Sequence, residues 1–86
     1  MARYEIVFRR SVHKDLRTLP KADVKKILSR IDSLAIEPRG PGCEKLSADE
    51  RYRVRQGNYR IIYSIEDNRL IVTVVKVGHR REVYDR

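Results

Sequence analysis

Four arginines and three tyrosines stand among residues 51–63 (RYRVRQGNYRIIY), with no acidic side chain between them. A guanidinium group donates several hydrogen bonds from a planar fork that matches the oxygens of a phosphate. The chemistry these residues offer is anion recognition, with phosphate first among the anions. A second basic set follows a glycine at residues 78–86 (GHRREVYDR). If that segment folds back along the same surface, Arg80 and Tyr84 join the first set.

The elements that must position these side chains can be read from spacing. Residues 51–56 and 59–66 are rich in β-branched and aromatic types, and Gly57-Asn58 between them is a two-residue hairpin turn. A turn of that length fixes the register: Gln56 opposite Tyr59, Arg55 opposite Arg60, Val54 opposite Ile61, Arg53 opposite Ile62, Tyr52 opposite Tyr63. One face carries Arg53, Arg55 and Arg60, and the other carries Tyr52, Tyr59 and Tyr63, whose rings are assigned to packing. Like charges set opposite one another oppose folding, so the pairing of Arg55 with Arg60 implies a bound anion.

The rest of the chain supplies a support. Residues 4–8 (YEIVF) read as a strand, at an edge or paired with the hairpin. Ser11 is the expected cap of a short helix bearing Val12, Leu16 and Leu19, and Pro20 ends it while opening the next. That second helix shows an apolar stripe of Val24, Ile27, Leu28, Ile31, Leu34 and Ala35 and ends before Pro38. A short strand is expected near residues 45–46. Asp67-Asn68 reads as a second tight turn, after which residues 69–77 return antiparallel, with Leu70, Val72 and Val74 opposite Ile65, Tyr63 and Ile61. This register places Thr73 and Val75 beside Arg60. The expected class is α+β: an N-terminal strand and a helix pair packed on a small antiparallel sheet, in one domain spanning residues 1–86.

Composition narrows the partners. Eighty-six residues with a net charge of +8 favour a polyanion, nucleic acid before an anionic membrane. No apolar run approaches the roughly 20 residues that span a bilayer, and MARYEIVFRR lacks the apolar core of a signal peptide, so the cytoplasm is the expected location. A single cysteine, Cys43, and two scattered histidines give neither an internal disulfide nor a zinc spacing. Chemistry without a metal or cofactor is the expectation.

The order of elements, with NYRIIY at residues 58–63 and VGHR at residues 77–80 running on to Val83-Tyr84, resembles the RelE/ParE superfamily of toxins from type II toxin–antitoxin systems. The likeness extends over nearly the whole chain and is closer to the RelE branch. It implies a toxin neutralised by a cognate antitoxin, the complex commonly regulating its own operon. For that branch it also implies a ribosome-dependent endoribonuclease that cuts messenger RNA in the ribosomal A site without a metal. Carried over by motif, the site residues are Arg53, Arg55, Arg60, Arg80 and Tyr84.

In such a reaction the RNA 2′-hydroxyl attacks the adjacent phosphate, leaving a 2′,3′-cyclic phosphate and a 5′-hydroxyl. Fixed guanidinium groups stabilise the charge gathering on the phosphoryl oxygens, a task suited to Arg60 and Arg80. Arg53 and Arg55 stand where the branch carries lysines, and a guanidinium is a poor base at neutral pH. Three residues are candidates for the base: Tyr84, which otherwise stacks on an RNA base; Glu44, in the segment before the hairpin; and His79, of the side-chain type that changes charge near neutrality. Two other readings share the fold, a ParE-like toxin that poisons DNA gyrase without cutting RNA and an inactive relative that only binds antitoxin.

Overall fold

Extended β-branched residues open the chain as an edge strand. In the computed structural model, which describes residues 3–46 and 50–79, β1 (Glu5–Phe8) leads into α1 (Arg10–Arg17) and α2 (Lys21–Leu34). The short β2 (Glu44–Lys45), then β3 (Arg51–Gln56), β4 (Tyr59–Glu66) and β5 (Ile71–His79) complete the order. The strands form one sheet ordered β1-β5-β4-β3-β2. The class is α+β, as the pattern of elements predicts, but the sheet is mixed: β1 runs parallel to β5, and every other neighbouring pair is antiparallel. A parallel pair needs a long crossover, which the helix pair and the β2–β4 meander provide.

Local sequence explains most boundaries. Arg9 donates its N–H to the Val74 carbonyl at 3.0 Å, the last rung of the parallel ladder, and caps α1 with extended backbone and no side-chain hydrogen bond. Ser11 is therefore inside the helix and does not cap it. Pro20 is the N-cap of α2, and α2 ends at Leu34, ahead of Pro38. At the hairpin tip Gly57 has φ 59° while Asn58 lies outside the left-handed region. A positive φ at the first central position alone is what a type II′ turn requires.

Both helices lie on one face of the sheet. Val12 of α1 and Ile27, Ile31 and Leu34 of α2 pack with Val54, Ile61, Tyr63, Val72, Val74 and Val77 in a single buried cluster. Each large aliphatic side chain buried there contributes about 1.5–3 kcal/mol. Leu28, in the apolar stripe of α2, stays exposed because it points past the rim of this core.

The hairpin register is the expected one, with Arg55 opposite Arg60 and Tyr52 opposite Tyr63. The β4–β5 register is not. Glu66 pairs with Ile71, so residues 67–70 form the loop in place of a two-residue turn, and Leu70 takes φ 54°. Val72 then faces Ile65 and Val74 faces Tyr63, and an irregularity between Ile62 and Tyr63 sets Val77 opposite Ile61 and Gly78 opposite Arg60. A β-bulge of this kind flips the faces of everything beyond it. Glycine, in place of Thr73 or Val75, is the cross-strand neighbour of Arg60.

Candidate functional site: the arginine face of the sheet

Alternation along β3 and β4 gives the face opposite the helices its character. It carries Arg53, Arg55 and Arg60, with Ile62 between strands. Ile62 and Leu46 are buried against each other, with Val75 packed on them, so a small apolar patch sits amid the basic side chains.

The three arginines stand in different states. Arg55 is exposed and Arg60 half-buried, directly across β3–β4 from each other. On its other side Arg60 has Gly78 as its register partner on β5. Arg53 is 8% exposed. Its Nη2 donates to Oε2 of Glu44, its register partner on β2. Arg53 is thus built into the sheet, Arg55 is exposed, and Arg60 is half-buried with its Nε shielded from solvent. Glu44, a candidate base by sequence, has its carboxylate engaged by that guanidinium.

His79 is opposite Tyr59 in register and meets its ring edge-on, centroids 5.9 Å apart. That contact puts it on the helix-bearing face, across the sheet from Arg60. Tyr59 donates its hydroxyl to Asp23 Oδ2 at 2.7 Å, and that bond together with desolvation raises the phenol's pKa. Arg80 and Tyr84 lie outside the described residues. No group of three or more His, Cys, Asp and Glu among the described residues is arranged to hold a metal ion.

A second cluster braces the sheet from the loop after α2. Arg39 donates from Nη1 and Nη2 to the two carboxylate oxygens of Asp67 at 2.9 and 2.8 Å and from Nε to the Tyr52 hydroxyl at 3.1 Å. Tyr4 donates its hydroxyl to the same carboxylate at 2.7 Å. The Arg39 and Tyr4 hydrogen bonds hold Asp67 down at about 2. Tyr52 stacks on Tyr63, whose buried hydroxyl donates to the Pro38 carbonyl at 2.6 Å, and burial pushes that phenol up. Arg39 carries no signal in sequence, since its partners Tyr52 and Asp67 lie in two distant segments. Tyr52, Tyr59 and Tyr63 pack on the helix side, as their alternation predicts.

The geometry defines a class: a small basic α+β protein whose helices cover one face of a sheet and whose other face presents arginines. Residues 6–84 match a family model described as ParE toxin of type II toxin–antitoxin system, parDE. The chain is 30% identical over 86 residues to the putative toxin RelE1 of Methanocaldococcus jannaschii, covering 95% of this chain and 96% of that one. Among solved structures it resembles a chain of the toxin–antitoxin complex RelBE2 from Mycobacterium tuberculosis, with TM-score 0.82, 26% identity and 91% and 99% of the two chains covered. It also resembles one of the archaeal RelE–RelB complex from Pyrococcus horikoshii, with TM-score 0.78, 29% identity and 96% and 100% covered. The protein belongs to the RelE/ParE superfamily of type II toxin–antitoxin toxins, with RelE-like relatives.

Proposed function

We propose that this toxin is a ribosome-dependent endoribonuclease that cleaves messenger RNA in the A site and so arrests translation. The observation that carries the reading is the pair Arg55 and Arg60, side by side across β3–β4 on the face the helices leave uncovered. Two guanidinium groups brought together by the backbone ladder offer a paired set of donors that suits the oxygens of a phosphate. In the reaction the 2′-oxygen attacks phosphorus and the bond to the 5′-oxygen breaks, giving a 2′,3′-cyclic phosphate and a 5′-hydroxyl. Arg60, with Arg80 from the segment after β5, holds the phosphoryl oxygens, and Arg55 steers the neighbouring backbone phosphate. Arg53, bound to Glu44, supports the strand from within. Of the three base candidates Tyr84 is preferred, because Glu44 is engaged by Arg53 and His79 lies on the opposite face.

An antitoxin is the expected partner, supported by relatives solved as complexes with theirs, and action on ribosomes places the toxin in the cytoplasm. A gyrase-poisoning reading is favoured by one finding, the ParE description of the matching family model. Inducing the chain alone and mapping transcript 5′ ends separates the two, alongside a reaction on purified ribosomes programmed with messenger RNA. New 5′-hydroxyl ends within translated frames, absent from naked RNA, are expected. Growth arrest with stabilised gyrase–DNA complexes and no such ends would replace the nuclease with the gyrase reading. In the same ribosome reaction Arg60→Ala is expected to lose about 10²–10³-fold in cleavage rate with its melting temperature unchanged; full activity would remove Arg60 from the site.

A further inference from the structure

β1 leaves the sheet before β5 ends. Its last rung is the Arg9 N–H on the Val74 carbonyl, and β5 runs on from there to His79 with α1 packed against it. Asp15, in the last turn of α1, reaches this stretch. Its Oδ2 accepts from the Val77 N–H at 3.3 Å, its Oδ1 accepts from Lys76 Nζ at 3.4 Å, and its side chain is 18% exposed. A carboxylate there opposes the helix dipole, whose C-terminal end is negative and favours the cations Lys14 and Arg17 of the same turn. What it holds accounts for its place. Continuing the Tyr63–Val74 pairing one residue at a time would set Val77 opposite Arg60, on the arginine face. The extra residue, Val75, instead sets Val77 opposite Ile61, where it is buried in the core, and Gly78 opposite Arg60. Bulges beside functional sites re-aim side chains in this way.

We infer that Asp15 is a positioning residue for Arg60: its carboxylate pins the end of β5 in the bulged register that sets glycine, and not valine, beside that arginine. The Val77 N–H is where this register is secured from outside the ladder to β4. A buried N–H that loses its acceptor favours whatever rearrangement pairs it again. Burial of Val77 holds the same register from the core side, so the fold survives loss of the carboxylate while the rung beside Arg60 loosens. Asp15 itself touches no reacting atom. A residue of the helix layer thereby sets the placement of a guanidinium on the opposite face, and a misplacement of about 1 Å in such a group costs up to about 10²-fold in rate. The ion pair to Lys76, itself half-exposed, contributes little to this. The kinetic part of the inference rests on the nuclease reading; the placement of Arg60 does not.

The test compares Asp15→Ala, Asp15→Asn and Lys76→Gln in the full chain. On ribosomes programmed with messenger RNA, Asp15→Ala is expected to lower kcat by about 10- to 10²-fold with KM within about twofold of the parent. Asp15→Asn, whose amide oxygen accepts the same N–H, and Lys76→Gln, which removes only the ion pair, are expected to stay within about twofold in both constants. NMR on the nitrogen-labelled chain reads the placement without any cleavage. In Asp15→Ala the Val77 amide is expected to exchange faster and the Arg60 Nε–H signal to shift, with neither change in Asp15→Asn. If Asp15→Ala does not fold, Asp15→Glu, which keeps the charge but moves the carboxylate by one methylene, is expected to show the same two NMR changes and the fall in kcat. A folded Asp15→Ala with the parent's kcat, an equal loss in Asp15→Asn, or a rise in KM alone would overturn the proposal. Should the parent cut no ribosome-bound message, the nuclease reading fails and the NMR comparison decides alone: the two changes support the positioning role, and an unmoved Arg60 signal overturns it.

Discussion

Arg53, Arg55 and Arg60 differ in what surrounds them more than in what they are. Arg55 is exposed, whereas Arg53 is 8% exposed and bound to Glu44, so the same truncation should separate structural from functional arginines. Arg53→Ala is expected to lower unfolding free energy by about 1–2 kcal/mol, through lost stem packing and the lost charged hydrogen bond. Arg55→Ala should stay within about 0.5 kcal/mol of the parent and lose RNA affinity. Urea titrations of both variants check the first half of this, and a reversed order would mean that Arg53 is the outward-facing group. The alternation that puts the three on one face was legible in sequence because a two-residue turn leaves only one register. The burial of Arg53 was not legible, because it goes with Glu44, which arrives from a separate strand whose pairing no local signal announces.

At the level of elements, the brace formed by Arg39, Asp67, Tyr4 and Tyr52 ties the loop after α2 to the residue before β1, to β3 and to the β4–β5 turn. Asp67 has its folded pKa lowered to about 2, below that of an aspartate in an unfolded chain at about 3.9. The depressed value means that the brace contributes its full stability above about pH 4 and loses it as pH falls toward 2. Asp67→Asn is expected to flatten the fall of the urea midpoint across that window; an unaltered acid limb would place the titrating group elsewhere. This brace also shows why the β4–β5 register escaped a reading by pattern. The turn is four residues long, with Leu70 in the left-handed region, and it is anchored by a distant arginine. The bulge between Ile62 and Tyr63 then flips the alternation that such a reading follows. Helix positions were more legible, since a 3.6-residue apolar stripe depends only on its own segment.

For the whole molecule, a charge of +8 on 86 residues makes binding to a polyanion a counterion-release process. The logarithm of RNA affinity should fall linearly with the logarithm of salt, and removing Arg55 and Arg60 together should reduce the slope by about 1–2. An unchanged slope in the double variant would mean that the phosphates lie on another face. The sheet order has a consequence for how the toxin is born. Among the described strands β5 is synthesised last, yet it lies between β1 and β4 and is the strand on which β1 pairs, Glu5 meeting Ile71. Until β5 clears the exit tunnel, the nascent chain holds a helix pair without its floor and a hairpin of two long strands, too little sheet to persist alone. The fold therefore closes in one late step, when β5 enters between β1 and β4 and joins the N-terminal half of the chain to the hairpin.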